Sequence, residues 1–160
     1  MKIIAVVGTG SGCGKTTAAC RILRAIPGLG AVKISPREGV SRVEWGAGAP
    51  GKDTGLFAAS GAVRVARIVG PRDAVGATWN LIRGQFEGCP GVVVEGASAL
   101  ALPGERFVVF VVGDKQERAQ GERNRALAAK SDVIIERSFH SSDESFVAMI
   151  HKFLTGPPNE

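Results

Sequence analysis

The chain has 160 residues, 44% of them hydrophobic and 22% charged, with a formal net charge of +5. That length fills one core well and two poorly. Three cysteines at scattered positions, Cys13, Cys20 and Cys89, exclude a disulfide framework and a Cys-x-x-Cys metal site. The basic excess is spread over Arg64, Arg67, Arg72, Arg83, Arg118, Arg123 and Arg125 without a run of adjacent cations, and the chain has no Tyr for base stacking. Composition therefore points away from dedicated nucleic-acid binding and toward a groove for a polyanionic nucleotide or an acidic substrate.

No apolar stretch approaches the roughly 18 residues that span a bilayer. The start, Lys2 followed directly by IIAVV, carries no secretory h-region with its cleavage site. A cytoplasmic protein with no membrane association is expected.

In chain order, residues 2–8 form a continuous apolar run, the pattern of a strand covered on both faces. A helix is expected from Lys15 to Ile26, ended by Pro27-Gly28, and a short strand at 31–35. Residues 36–52 are polar, rich in Gly and Pro and without periodicity, which predicts a long loop of functional importance. A helical segment opens at Asp53 and runs to Gly61. Further strands are predicted at 63–69, 91–95, 107–112 and 132–136, and helices at 73–86, 117–130 and 143–154. The alternation predicts an α/β fold, three layers with a mainly parallel sheet flanked by helices. With no repeat and no linker, residues 1–160 read as a single domain with a frayed tail at 155–160.

The most informative segment is Gly8-Thr9-Gly10-Ser11-Gly12-Cys13-Gly14-Lys15-Thr16-Thr17. It follows an apolar strand and opens a helix, the context a phosphate-binding loop requires. Glycines let successive amide N–H groups turn inward toward phosphate oxygens, and the helix N-terminus adds partial positive charge. Thr9 to Thr17 thus form the expected phosphate cradle, Lys15 meets the β- and γ-phosphates, and the Thr16 hydroxyl is a Mg²⁺ ligand. The usual pattern has a Gly five residues before Gly14, where this chain has Thr9; the nearest glycine is Gly8. Cys13 reads as a small residue tolerated in a tight loop.

A Mg²⁺ ion on Thr16 needs at least one carboxylate. Glu95 ends an apolar strand, at the sheet edge where ligands bind in open α/β folds, and a glycine follows it. Asp114 ends another strand, and Asp53 opens a helix; Asp53 also reads as a plain N-cap, and Asp114 as a residue of base recognition. Lys33 lies inside the apolar strand at 31–35, where a charge must find a partner or the open end of the sheet. It reads either as a snorkelling lysine or as a second cation facing the γ-phosphate or an acidic substrate, with Ser35 and Arg37 extending the same face. His140 and His151 are expected at the surface.

The loop GTGSGCGKTT, with GKDTGLFAASGA at 51–62 and GVVVEGASAL at 91–100, resembles the P-loop NTPase branch that includes dethiobiotin synthetase, the cobyrinic acid amidotransferases and the molybdopterin-guanine dinucleotide biosynthesis protein B family. The three segments cover about a quarter of the chain in the same order. The resemblance implies a P-loop NTPase fold. It also implies that Asp53 and Glu95 reach the metal with Thr16, and that Lys33 acts with Lys15 in catalysis. Two segments depart from it: ISPREG stands where B-type proteins carry a His-rich stretch, and Ala97-Ser98-Ala99 follow Glu95-Gly96 in place of a glycine pair.

The expected function is Mg²⁺-dependent binding and hydrolysis of ATP or GTP in cofactor biosynthesis. The alternatives are an ATP-dependent ligase or kinase acting on a small carboxylate, and a nucleotide-responsive adaptor that binds a protein partner through the 36–52 segment and Trp45. The expected partners are the nucleotide and a small molecule or protein, and a homodimer is compatible with the resemblance. Asp114-Lys115-Gln116-Glu117 leaves the choice of base open.

Overall fold

The computed structural model describes residues 1–113, 121–137 and 145–157. β1 (Lys2–Gly8) passes through the glycine-rich loop into α1 (Lys15–Ala25), followed by β2 (Gly30–Pro36), β3 (Arg42–Trp45), α2 (Asp53–Ala59) and β4 (Arg64–Gly70). Then come α3 (Val75–Ile82), β5 (Val92–Glu95), β6 (Glu105–Val112), α4 (Glu122–Ala128), β7 (Val133–Glu136) and α5 (Ser145–Thr155). Turns of 3-10 helix at Arg72–Ala74 and Arg83–Phe86 flank α3, and another at Ala97–Ala101 follows β5.

The strands form one seven-stranded sheet in the order β3-β4-β2-β5-β1-β6-β7. Every pairing is parallel except that of β3 with β4. The central strands are covered on both faces, which is why β1 and β5 read as unbroken apolar runs rather than alternating ones. On one face Ile4, Val6, Ala31 and Val93 pack under Ala19, Ile22 and Leu23 of α1, Phe57 of α2, and Phe146 and Ile150 of α5. On the other, Ile3, Ala5, Val32 and Val94 pack under Val75, Trp79 and Ile82 of α3 and under Phe86, Ala99 and Leu102. The expected α/β arrangement, a mostly parallel sheet with helices on both faces, is what the chain adopts. Among the described residues no helix is long and apolar enough to cross a membrane.

The structure corrects one expectation and refines another. The segment 36–52 is not all loop: Arg42–Trp45 adds an antiparallel edge strand. Its four residues alternate charged and apolar side chains, a period too short to stand out among the surrounding glycines. The helix expected at 73–86 is α-helical over Val75–Ile82 and continues as 3-10 helix over Arg72–Ala74 and Arg83–Phe86. Of the tail at 155–160, residues 158–160 lie outside the described residues. Thr155 ends α5, and Lys2 Nζ donates to the carbonyls of Phe153 at 2.9 Å and Gly156 at 2.5 Å.

Ile4 lies at the centre of the sheet with no exposed surface. Ile4→Ala is expected to destabilise the fold by about 2–5 kcal/mol, the lost transfer energy plus the cavity left behind. The measurement is urea unfolding; a loss below about 1 kcal/mol would mean that this region repacks freely.

Candidate functional site

The residues of interest gather at the carboxyl ends of β1, β2 and β5, and the strand register explains why. Ala31, Val65 and Val93 are buried on the face that carries α1. Side chains two residues further along each strand share that face, so Lys33, Arg67 and Glu95 emerge there beyond the apolar layer. The register then sets Glu95 beside Lys33, Lys33 beside Arg67, and Arg67 beside Glu44. On the other side of Glu95 the same row continues through Val6, Val109 and Val133. One half of this row is charged and the other apolar.

Within the charged half, Lys33 is the hub. Its ammonium bonds Glu95 Oε1 closely and lies 2.9 Å from Asp53 Oδ2. The Thr16 hydroxyl lies 2.9 Å from Glu95 Oε2 and 3.1 Å from Asp53 Oδ1. Thr16, Lys33, Asp53 and Glu95 therefore converge from α1, β2, α2 and β5. The glycine after Glu95 has φ 137°, and a Cβ there would stand 3.1 Å from Ile34 Cβ, so the chain leaves β5 in a way only glycine permits.

Burial alone would lower the pKa of Lys33, but the charge and hydrogen bond of Glu95, helped by Asp53, outweigh it and raise the pKa above its ordinary 10.5. Burial alone would raise that of Asp53. The hydrogen bond and charge of Lys33, then the Thr16 hydroxyl, outweigh it and hold the carboxyl below its ordinary 3.8. Glu95 is the buried member, 1% exposed.

The donor set fits a hard divalent cation. Two carboxylates and a hydroxyl converge, yet Thr16 has one hydrogen for two carboxylate oxygens, and the single charge of Lys33 leaves the pair one negative charge in excess. Oxygen donors of this kind suit Mg²⁺, which binds one or two carboxylates and completes its octahedron with substrate oxygens and water. Among the described residues no group of three His, Cys, Asp or Glu side chains gathers, so such a cation would draw the rest of its shell from substrate and solvent.

The glycine-rich loop lies next to this cluster. Gly14, at φ 101°, precedes α1, whose first turn has neither a side-chain cap nor an acidic residue. The first amides of that helix therefore have no side-chain partner at the cap. Lys15 bends back so that its ammonium donates to the Gly10 carbonyl, with Cys13 Sγ 3.5 Å away. Thr9 is buried and ties the loop to β6: its amide donates to the Val111 carbonyl at 3.1 Å, and its hydroxyl accepts from the Gly113 amide at 3.1 Å. Its φ is not positive, so this position does not require glycine. Gly8 does, because a Cβ there would meet Cys13 Sγ at 2.5 Å and the Val111 carbonyl at 2.6 Å. Ser11, Gly12 and Thr17 are exposed, and Thr17 takes no part in the cluster.

Of the residues singled out in the sequence, the structure brings Thr16, Lys33, Asp53 and Glu95 together, while Lys15 turns to the Gly10 carbonyl. Lys33 is no snorkelling edge lysine, since β2 is an inner strand. Asp114 and His140 lie outside the described residues; His151 is exposed on α5. Arg67 and Glu44 were missed as site residues. Arg67 Nε donates to Ser35 Oγ at 3.0 Å, and its Nη1 lies 3.3 Å from Glu44 Oε2. A usable signal existed: Ala31/Lys33, Val65/Arg67 and Val93/Glu95 repeat one apolar-then-charged step at strand spacing.

A cavity of about 490 Å³ adjoins the cluster on the β3–β4 side, lined in part by Lys33 and Asp53. Larger clefts of about 740 and 810 Å³, one beside α1 and α5 and one beside Trp45 and Leu81, include none of the cluster residues. Compared with known proteins, the chain matches no family model, no curated protein and no solved structure.

Two predictions follow from the hub. Lys33→Met, measured by urea unfolding in a chelator, is expected to cost about 3–5 kcal/mol, because Glu95 stays buried without its cation. Lys33→Met with Glu95→Leu should recover most of that loss, and a double variant no better than the single one would refute the pairing. The pH dependence has two limbs. The Asp53 contribution is present above pH 3.8 and fades as pH falls through its lowered folded value. The Lys33 contribution is complete below pH 10.5 and fades as pH rises through its raised value. The stability difference between wild type and Lys33→Met should thus be flat from about pH 5 to about pH 9 and shrink on both sides.

Proposed function

We propose that this chain is a Mg²⁺-dependent P-loop NTPase that binds the phosphates of ATP or GTP on residues 9–17, of the branch that includes molybdopterin-guanine dinucleotide biosynthesis protein B and dethiobiotin synthetase. The observation that carries the reading is the meeting of Thr16 with Asp53 and Glu95, a hydroxyl and two carboxylates from three separate segments, at the mouth of the glycine-rich loop. A loop that merely turned the chain would have no need of a carboxylate pair on its first helical hydroxyl. The uncapped, acid-free start of α1 supports it further, since those amides favour an anion.

In this reading the loop amides hold the β- and γ-phosphates, and Lys15 leaves the Gly10 carbonyl to meet them. Thr16, Asp53 and Glu95 would hold Mg²⁺, which would supply positive charge against the phosphate oxygens. Lys33, already fixed between Asp53 and Glu95, stands where a second positive charge can offset the charge that builds on the transferred group. An acceptor oxygen bonds to the γ-phosphorus as the bridging oxygen departs with its electron pair on the nucleoside diphosphate, and the proton of a water or hydroxyl acceptor passes to solvent. Catalysis is positioning plus electrostatics, with no covalent enzyme intermediate. The cavity beside Lys33 favours a small acceptor over bulk water alone, which keeps the ligase or kinase variant of the reading in play.

Calorimetric titration with non-hydrolysable ATP and GTP analogues tests it. Binding in the presence of Mg²⁺ is expected to weaken about 10- to 100-fold in Lys15→Ala, the worth of one charge-assisted hydrogen bond, and to weaken in Glu95→Gln with Mg²⁺ but not with EDTA. No binding of either analogue at millimolar concentration would overturn the reading.

A further inference from the structure

The cavity beside the cluster is more basic than a pocket for a neutral acceptor needs to be. Its wall carries four cations, Lys33, Arg37, Lys52 and Arg67, and two carboxylates, Glu44 and Asp53. Lys33 is engaged by Asp53 and Glu95. Arg67 is engaged by Glu44 and Ser35, and Glu44 also takes a bond from Arg42 at 3.0 Å. Among the described residues the side chains of Arg37 and Lys52 have no ion pair or hydrogen bond. They reach the cavity from opposite ends of the 36–52 segment, Arg37 just after β2 and Lys52 just before α2. Two cations left over on one wall match a dianion better than a singly charged carboxylate. Arginine also presents a fork suited to phosphate oxygens.

We propose that this cavity binds a small molecule through a phosphate monoester, with Arg37 and Lys52 as its anchors and Arg67 as a prearranged third donor. The inference names the acceptor of the phosphoryl transfer proposed above and rests on that reading for its place in the reaction, though not for the binding itself. Arg67 and Lys33 are register partners on adjacent strands, about 4.8 Å apart. A phosphate seated against Arg67 therefore leaves the rest of the molecule beside Lys33 and Asp53, facing the mouth of the glycine-rich loop. The anchors and the metal-binding carboxylates are distinct, so recognition of the acceptor does not compete with the cation.

Inorganic phosphate is the probe, followed by ³¹P line broadening and calorimetry, with acetate as the carboxylate control. The titrations use full-length wild type saturated with a Mg²⁺-imidodiphosphate nucleotide, and separately Lys15→Ala without nucleotide. Phosphate is expected to bind in both backgrounds, and Arg37→Ala with Lys52→Ala should weaken it about tenfold or more in each. The urea midpoint should stay unchanged, since both side chains are exposed. Acetate should not displace it. Phosphate binding untouched by the double substitution, equal competition by acetate, or no phosphate binding in either background would each overturn the proposal. Phosphate held by nucleotide-saturated wild type but lost in nucleotide-free Lys15→Ala would also overturn it, because the anion then depends on the occupied glycine-rich loop and not on the cavity itself. Failure of the nucleotide analogue to bind, with phosphate still held through Arg37 and Lys52, would sink the nucleotide reading and keep the cavity.

Discussion

Glu95 is almost fully buried, yet it is a carboxylate, and the arrangement around it follows from how that charge is met. Removing such a group from water costs several kcal/mol unless partners replace the lost hydration. Lys33 from the neighbouring strand supplies the countercharge, the Thr16 hydroxyl faces the second oxygen, and Asp53 closes the ring through the same two groups. Four elements are thereby fixed relative to one another at one end of the sheet. Misplacing Lys33 would strand the buried charge of Glu95, so the pair constrains geometry more than it adds net stability.

The same cluster divides the sheet. Along the row that contains Glu95, side chains toward β3 are charged and those toward β7 are valines. β1 lies at the junction, with β5 on one side and β6 on the other. Connections from neighbouring strands diverge there, which opens a crevice at the carboxyl edge of an α/β sheet. The glycine-rich loop leaves β1 at that point. Thr9 pins it to the β6 side through Val111 and Gly113, and Thr16 pins the start of α1 to the carboxylates on the β5 side. A loop anchored at both ends presents its amides in a fixed arrangement, as an anion cradle requires.

The proposed chemistry assigns separate tasks to the two halves. The loop and Lys15 suit polyphosphate, the oxygen cluster suits a hard cation, and the basic cavity beyond Lys33 suits a second anion. Lys33 borders both the cation cluster and the cavity, which is the position from which one side chain can respond to both ligands. The basic excess of the chain, spread out in sequence, is in part concentrated in space through Arg37, Lys52 and Arg67.

The sequence by itself determined the alternating α/β order and the strand-loop-helix context of residues 8–17, and it singled out Thr16, Lys33, Asp53 and Glu95, which the fold brings together. These rest on local physics: an apolar run covered on both faces, glycines where a chain must turn tightly, and charges at strand or helix ends. The four-residue strand at Arg42–Trp45 was not legible, because so short an element is defined by its partner β4 rather than by its own pattern. The roles of Arg67 and Glu44 were not legible either. Each takes its meaning from a neighbour across the sheet, and strand order and register depend on contacts far apart in sequence. Thr9 shows the same limit: it broke the expected glycine spacing, and only the packed structure revealed that Gly8 takes the close contact while Thr9 holds the loop to β6. Tertiary structure alone decided that Lys33 and Glu95, separated by 62 residues, face each other, since β5 enters the sheet between β1 and β2.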